Sequence, residues 1–112
     1  MIMFIAPSRA LPERQMQDAK LSLGITKFVC LSDKLLEDYT TLIGEGTLEE
    51  LQMLAYDIVV EAKAAEADYF LCQEDISVAL HANLMANESN MACVASAQDS
   101  TSWTHIEFRG LF

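Results

Sequence analysis

Two groups of polar side chains follow apolar runs of the sequence, and their chemistry suits a phosphate-bearing ligand. Ser8 and Arg9 follow the run at residues 2–6 and the proline that ends it, and an arginine is a natural contact for an anion. The second group follows the run at residues 69–72 and supplies an amide, two carboxylates and a hydroxyl: Gln73, Glu74, Asp75 and Ser77. We expect Arg9 and amide groups to hold phosphate, and Gln73 or Asp75 to meet a sugar or a base.

The same residues also have a purely structural interpretation. Asp75 and Ser77 suit the first turn of a helix, because their side-chain oxygens can accept hydrogen bonds from its free backbone N–H groups. Arg9 can equally pair with a surface carboxylate. The residues alone leave both interpretations open.

Alternating strand and helix patterns predict the elements that position these groups. Apolar runs predict four buried strands, at residues 2–6, 27–31, 69–72 and 91–95. After a polar loop at 98–102, the strict alternation of residues 103–109 predicts an antiparallel edge strand at the C-terminus. The chain is therefore expected to form a single domain over residues 1–112. That domain is a three-layer Rossmann-like α/β fold with a mostly parallel sheet.

A flavodoxin-like strand order places the first and third strands side by side. The loops that follow those strands then meet at one edge of the sheet, outside the strand ends where open α/β sheets bind ligands. The two polar groups are therefore expected to face one another.

The predicted helices carry capping signals. Ser32 can cap a helix that starts at Asp33 and ends near Gly44, and Thr47 with Glu50 forms a capping box. In the long helix that follows, apolar positions recur at helical spacing: Leu48, Leu51, Ala55, Ile58, Ala62 and Ala65.

The helix predicted at residues 76–88 carries no charge before Glu88. Its apolar residues form two stripes, one of Ile76, Ala79, Leu80 and Leu84 and one of Val78, Ala82, Met85 and Ala86. A helix that is apolar on two sides is usually buried on both, so we expect a homodimer through this helix. The alternative is that the C-terminal strand covers the outer stripe within one chain.

The charge distribution limits the possible partners. A net charge of −10 argues against DNA or RNA binding, which needs a basic face. Residues 1–34 nevertheless hold five basic and three acidic side chains, whereas residues 35–112 hold two basic and fourteen acidic ones. An anion is therefore expected to bind in the N-terminal third.

Other classes of site and location lack support in the sequence. Cys30, Cys72 and Cys93 lie in apolar runs without paired spacing, so we expect reduced, buried thiols in a cytoplasmic protein. The first apolar run is too short for a signal peptide or a membrane span. His81 and His105 show no metal-ligand spacing, and we expect no metal and no cofactor. Glycine-rich phosphate loops and a nucleophilic triad are equally unsupported.

Three stretches of the chain resemble small CRISPR-associated ring nucleases. Residues 4–24 are similar to the opening strand of that family, its serine-containing pair and its helix with Gln and Asp-Ala-Lys. Residues 67–75 resemble its pattern Gly-Asp-Tyr-apolar-Leu-apolar-Gln-Gly-Asp, and residues 104–109 resemble its final His-x-x-Phe-Arg strand. The matches are short, but together they span most of the chain.

The resemblance implies a CARF-like (CRISPR-associated Rossmann) fold and a homodimer that acts in type III CRISPR defence. Such proteins bind a cyclic oligoadenylate messenger, commonly the tetra-adenylate, and many cleave it without a metal by attack of a ribose 2′-hydroxyl on phosphate. By resemblance, Ser8 and Arg9 would be the catalytic residues at the scissile phosphate. The ligand-binding residues would be Pro7, Gln73, Glu74, Asp75, Ser77 and Ser96.

Departures from the family pattern favour binding over cleavage. Arg9 stands where relatives often carry histidine, which keeps a cation but removes a possible general acid. Glu74 replaces a glycine with a negative charge, and no basic residue stands near Ser96, where relatives tend to carry arginine. One alternative is therefore a non-catalytic binder that sequesters the messenger. Another is a doubly wound protein-interaction domain, which the lack of an acidic cluster after the first strand disfavours.

Overall fold

A five-stranded sheet with helices on both faces organises the chain. The computed structural model describes residues 1–8 and 10–112. Its strands are β1 (Ile2–Ala6), β2 (Lys27–Cys30), β3 (Tyr69–Cys72), β4 (Ala92–Gln98) and β5 (His105–Gly110). The helices in this part of the chain are α1 (Glu13–Ser22), α2 (Asp33–Leu42), α3 (Leu48–Ala64) and α4 (Ile76–Glu88).

The strand order confirms the predicted topology. The strands lie in the order β2-β1-β3-β4-β5; the first four are parallel, and β5 pairs with β4 in the antiparallel sense. Ala6 and Cys72, the last residues of β1 and β3, are register partners. The loops that follow these two strands therefore start side by side, as the sequence predicts.

Two apolar clusters, one on each face of the sheet, produce the three layers. Phe4 and Phe70 stack on one face with their ring centroids 6.0 Å apart, and α2, α3 and α4 pack against that face. Met3, Ile5 and Leu71 point to the other face, where α1 covers them through Ala19. Alternate residues of β1 thus serve opposite layers, which is the expected behaviour of a strand buried on both sides.

The capping signals are confirmed, and one helix face is corrected. Ser32 accepts a hydrogen bond from the backbone N–H of Leu35, and Thr47 and Glu50 form both bonds of a capping box. Leu48, expected on the buried face of α3, is 60 % exposed. It lies in the first turn, where α3 has not yet reached the cover of its neighbours, and burial begins at Leu51.

The last two strands differ in extent from their predicted ranges. β4 continues to Gln98 because β5 pairs with its polar end, with an irregularity between Ala97 and Gln98. β5 begins at His105, because Trp103 adopts a positive φ of 56° in the loop. The connection between β4 and β5 therefore covers residues 99–104 rather than the predicted 98–102, and Ser96 lies within β4.

The three cysteines, all in the described part of the chain, form no disulfide with one another and differ in burial. Cys72 and Cys93 are buried, whereas Cys30, which was also expected to be buried, is half-buried. Burial raises the pKa of the Cys72 thiol to about 12 and that of Cys93 to about 11. Both are therefore protonated at neutral pH and pack as small apolar side chains.

The two stripes of α4 have different environments. Val78, Ala82 and Ala86 are buried against the sheet and α3, whereas Ile76, Leu80 and Leu84 are exposed. The C-terminal strand therefore does not cover the outer stripe, because β5 pairs with β4 at the sheet edge and leaves these residues exposed. None of the helices described is long and apolar enough to cross a membrane.

We predict that Asp75→Ala lowers the free energy of unfolding by about 1 kcal/mol, because Asp75 caps α4 by accepting from the backbone N–H groups of Ser77 and Val78. Asp75→Ser retains a capping oxygen and serves as the matched control. Urea unfolding followed by circular dichroism measures both. Equal stability of the alanine variant and the wild type would contradict the capping role.

Candidate functional site

A cavity of about 410 Å³ opens where β1, β3 and β4 end. Its walls are partly apolar, from residues such as Ile5, Leu11 and Leu71. Its polar lining comes from six side chains: Ser8, Gln15, Gln73, Glu74, Ser96 and Gln98. An apolar cavity with a few convergent polar groups at the carboxyl edge of a doubly wound sheet is the usual form of a small-molecule site.

The loops after β1 and β3 are joined at the cavity by one hydrogen bond. The Ser8 hydroxyl donates to Glu74 Oε1 at 3.0 Å. Glu74 has a φ of 78°, in the left-handed region that favours glycine. The bond turns the carboxylate toward the β1 loop and places a negative charge at the cavity.

Gln73 connects β3 to β4 and is held in one orientation. Its Oε1 accepts a hydrogen bond of 2.9 Å from the backbone N–H of Ser96. Because the oxygen is used in this bond, the Nε2 donors are the groups of the amide that stay available, and Gln73 lines the cavity. A ligand acceptor is therefore the group that this amide suits.

Gln15 is the most buried polar side chain of the cavity wall. It lies on α1, is 8 % exposed, and makes no side-chain hydrogen bond within the part of the chain that the structure describes. Its side-chain nitrogen and oxygen are not among the polar atoms that are buried without a partner, so the amide reaches the open space of the cavity. Gln15 therefore presents unused donors and acceptors to the cavity.

A chain of hydrogen bonds leads from α1 through β5 to the cavity. His105 Nε2 lies 2.8 Å from Asp18 Oδ2, and His105 Nδ1 lies 2.5 Å from the Ser96 hydroxyl. His105 is buried, and its ring packs on Phe108 at a centroid distance of 4.6 Å. Ser96 is the member of this chain that lines the cavity.

The Asp18 carboxylate fixes the direction of these bonds. The pKa of Asp18 lies below its ordinary value, first because the Ser22 hydroxyl donates to it and also because His105 does, and despite partial burial. An ionised Asp18 only accepts, so His105 Nε2 is the donor of this bond. When Nδ1 carries no proton, it accepts from the Ser96 hydroxyl.

The predicted site residues occupy three different places. Ser8, Gln73, Glu74 and Ser96 line the cavity together. Pro7 lines an adjoining cavity of about 350 Å³, which shares Ser8 and Glu74 with the first and has Tyr39 in its wall.

Asp75 and Ser77 line neither of these cavities. Asp75 caps α4, its backbone N–H donates to the Tyr39 hydroxyl at 3.2 Å, and its side chain accepts from the N–H of Ser77. The structural interpretation of these two residues therefore accounts for their contacts. Arg9 lies outside the described residues.

Sequence reasoning missed Gln15 and Gln98 as lining residues, and Asp18 and His105 as partners of Ser96. A nucleophilic triad had no support in the sequence, and the structure joins these three side chains in one hydrogen-bonded chain. Asp18 and His105 are 87 residues apart, so no local spacing could indicate the pair. Among residues 1–8 and 10–112, no group of three His, Cys, Asp or Glu side chains is arranged to hold a metal.

The fold and the cavity define a doubly wound α/β protein with a polar site at the carboxyl edge of its parallel strands. The chain belongs to the uncharacterized protein MJ1673 family, which matches residues 1–107. Searches of the curated proteins and of the solved structures give no significant match.

Proposed function

We propose that the protein binds a cyclic oligoadenylate, such as the cyclic tetra-adenylate of type III CRISPR defence, and cleaves it without a metal to end the signal. The observation that carries the proposal is the cavity at the ends of β1, β3 and β4, which amide and hydroxyl side chains line. The resemblance of three sequence stretches to ring nucleases names the ligand class.

The amide groups of the cavity support an adenine ligand. Gln15, Gln73 and Gln98 line it, and a glutamine amide can pair with the N6 and N7 edge of adenine through one donor and one acceptor. Gln15 is suited to this role because its amide has no partner in the described residues. Gln73 can supply donors to a ring nitrogen or to a ribose oxygen.

The phosphate groups would meet the loop after β1. The Ser8 hydroxyl lies at the cavity, and Arg9 follows it in the sequence, in the N-terminal third that carries the positive balance. Glu74 opposes an anionic ligand, and no basic side chain among the described residues lines the cavity. Arg9 is therefore the residue on which phosphate binding depends in this proposal.

A homodimer would complete the site. A cavity of about 410 Å³ is comparable to a site for one mononucleotide, whereas a ring of several nucleotides needs more than one such site. The exposed stripe of Ile76, Leu80 and Leu84 starts three residues after Gln73. Pairing two copies through α4 would bury this stripe and bring two cavities to one ligand.

Cleavage would follow from positioning and charge stabilisation. Attack of a ribose 2′-hydroxyl on the adjacent phosphate requires an in-line arrangement and a cation beside the developing charge. Ser8 and Arg9 would supply these contacts. The second candidate is sequestration without cleavage, and the specific observation that favours it is the carboxylate of Glu74 at the cavity.

The test incubates the protein with cyclic tri-, tetra- and hexa-adenylate in the presence of a chelator and resolves ligand and products by chromatography. Linear products with a 2′,3′-cyclic phosphate support the cleavage proposal, and intact ligand bound to the protein supports sequestration. Absence of binding to every ring size would contradict both.

We predict that Arg9→Ala weakens binding of the cyclic tetra-adenylate by about 1.5–3 kcal/mol, because it removes a charge-assisted hydrogen bond to phosphate. Isothermal titration calorimetry measures the change. Lys63→Ala, which removes an exposed cation from the last turn of α3, is the control and retains wild-type affinity. An unchanged affinity of the Arg9 variant would show that the phosphate contact is misplaced.

We predict that Leu80→Glu converts a wild-type dimer into a monomer, because it places a charge in the centre of the exposed stripe of α4. Sedimentation equilibrium measures the mass of each. Met53→Glu alters a comparably exposed apolar residue on α3 and should leave the dimer intact. A monomeric wild type, or a Leu80 variant that still dimerises, would rule out this interface.

A further inference from the structure

We infer that Asp18, His105 and Ser96 form a proton relay that removes the proton from a ligand hydroxyl in the cavity. The inference rests on the proposed function, since it assigns the general base of that cleavage reaction. It adds two residues, Asp18 and His105, that do not themselves line the cavity at Ser8 and Glu74.

The order of the groups gives the relay a direction. Ser96 lines the cavity, His105 Nδ1 lies 2.5 Å behind its hydroxyl, and Asp18 Oδ2 lies 2.8 Å behind His105 Nε2. Ser96 Oγ can accept a proton from a ligand hydroxyl in the cavity while it passes its own proton to His105 Nδ1. The resulting imidazolium is then stabilised by the carboxylate of Asp18.

The surroundings of His105 favour this path. The side chain of His105 is 3 % exposed, and Phe108 covers one part of its ring. The charged groups near it are Asp18, which contacts the ring, and Arg14 and Asp99, which line a further cavity together with His105. The carboxylate that touches the ring is Asp18, and it is held by a second hydrogen bond from Ser22.

The chemical step balances without a metal. The ligand 2′-oxygen forms a bond to phosphorus while the bond from phosphorus to O5′ breaks. The 2′-hydroxyl proton moves to Ser96 as the proton of Ser96 moves to His105. The O5′ leaving group takes a proton from water, and the hydroxide formed is neutralised when His105 releases its proton. A 2′,3′-cyclic phosphate and a free 5′-hydroxyl result.

A merely structural role for the same bonds makes different predictions. Asp18 and His105 also fasten α1 to β5, which contact one another along the sheet edge. If fastening were their whole role, removal of the Ser96 hydroxyl would leave the chemical step unchanged, because the bond between Asp18 and His105 would persist.

The experiment measures binding of cyclic tetra-adenylate and its single-turnover cleavage for the wild type, Ser96→Ala, Ser96→Thr and Ser100→Ala. We expect Ser96→Ala to lower the cleavage rate by roughly 100- to 1,000-fold, the usual contribution of a general base, with much less effect on the dissociation constant. The threonine variant keeps a hydroxyl and recovers much of the rate. Ser100→Ala, in the exposed loop after β4, behaves as the wild type.

Asp18→Asn distinguishes the relay from a purely structural role of the bond between Asp18 and His105, because the structural role predicts no change in the cleavage rate. The asparagine oxygen can still accept from His105 Nε2, so the contact between α1 and β5 is kept, whereas the charge that stabilises an imidazolium is lost. We therefore expect the single-turnover cleavage rate to fall with little change in the dissociation constant. Thermal unfolding of each variant checks that it is folded.

Each outcome decides between the two proposals. Cleavage that is unaffected in Ser96→Ala overturns the relay and leaves the proposed function intact. A wild type that binds the ligand without cleaving it also overturns the relay and leaves sequestration. A wild type that does not bind overturns the proposed function together with the relay.

Discussion

The parallel pairing of β1 with β3 is the contact on which the position of the site depends, because it brings the loops after both strands to the cavity. These strands are separated in the chain by α1, β2, α2 and α3, and their register brings Ala6 beside Cys72. Stacking of Phe4 on Phe70 buries the two central side chains of this pair on one face. Because the strands are parallel, both end at the same edge, and the polar loops that follow them must meet there.

Helix α1 links the core to the cavity through residues on one face. Ala19 packs against the sheet, Gln15 lies four residues earlier at the cavity wall, and Asp18 reaches His105 on β5. Spacings of three and four residues place these side chains on the same side of the helix. The packing of Ala19 on the sheet therefore helps to position both the Gln15 amide at the cavity and the Asp18 carboxylate beside His105.

Local signals predicted the strands and helices, and they predicted the position of the site. Apolar runs bounded by Pro7 and Gln73 mark two strand ends, and Ser32 and Thr47 mark helix starts by chemistry that acts within four residues. The doubly wound topology then follows from the alternation of elements. The same local chemistry explains why Asp75 caps a helix rather than lining the cavity.

Long-range contacts were not predictable from the sequence, because no spacing rule connects the residues involved. The pairing of His105 with Asp18 depends on where β5 lies relative to α1, and Gln15 gains its importance from its place in the cavity wall. The polar end of β4 resembles a loop because its strand character comes from pairing with β5. Each of these features arises from tertiary structure, and each lies at or beside the cavity.

The central claim is that the cavity between the ends of β1, β3 and β4 receives an adenine nucleotide. The most direct test follows the side-chain amide resonances of Gln15, Gln73 and Gln98 by NMR during titration with cyclic tetra-adenylate. We predict saturable shifts of these three signals, while Gln52 on α3 stays unchanged. Shifts confined to other parts of the chain, or no shifts at all, would contradict the claim.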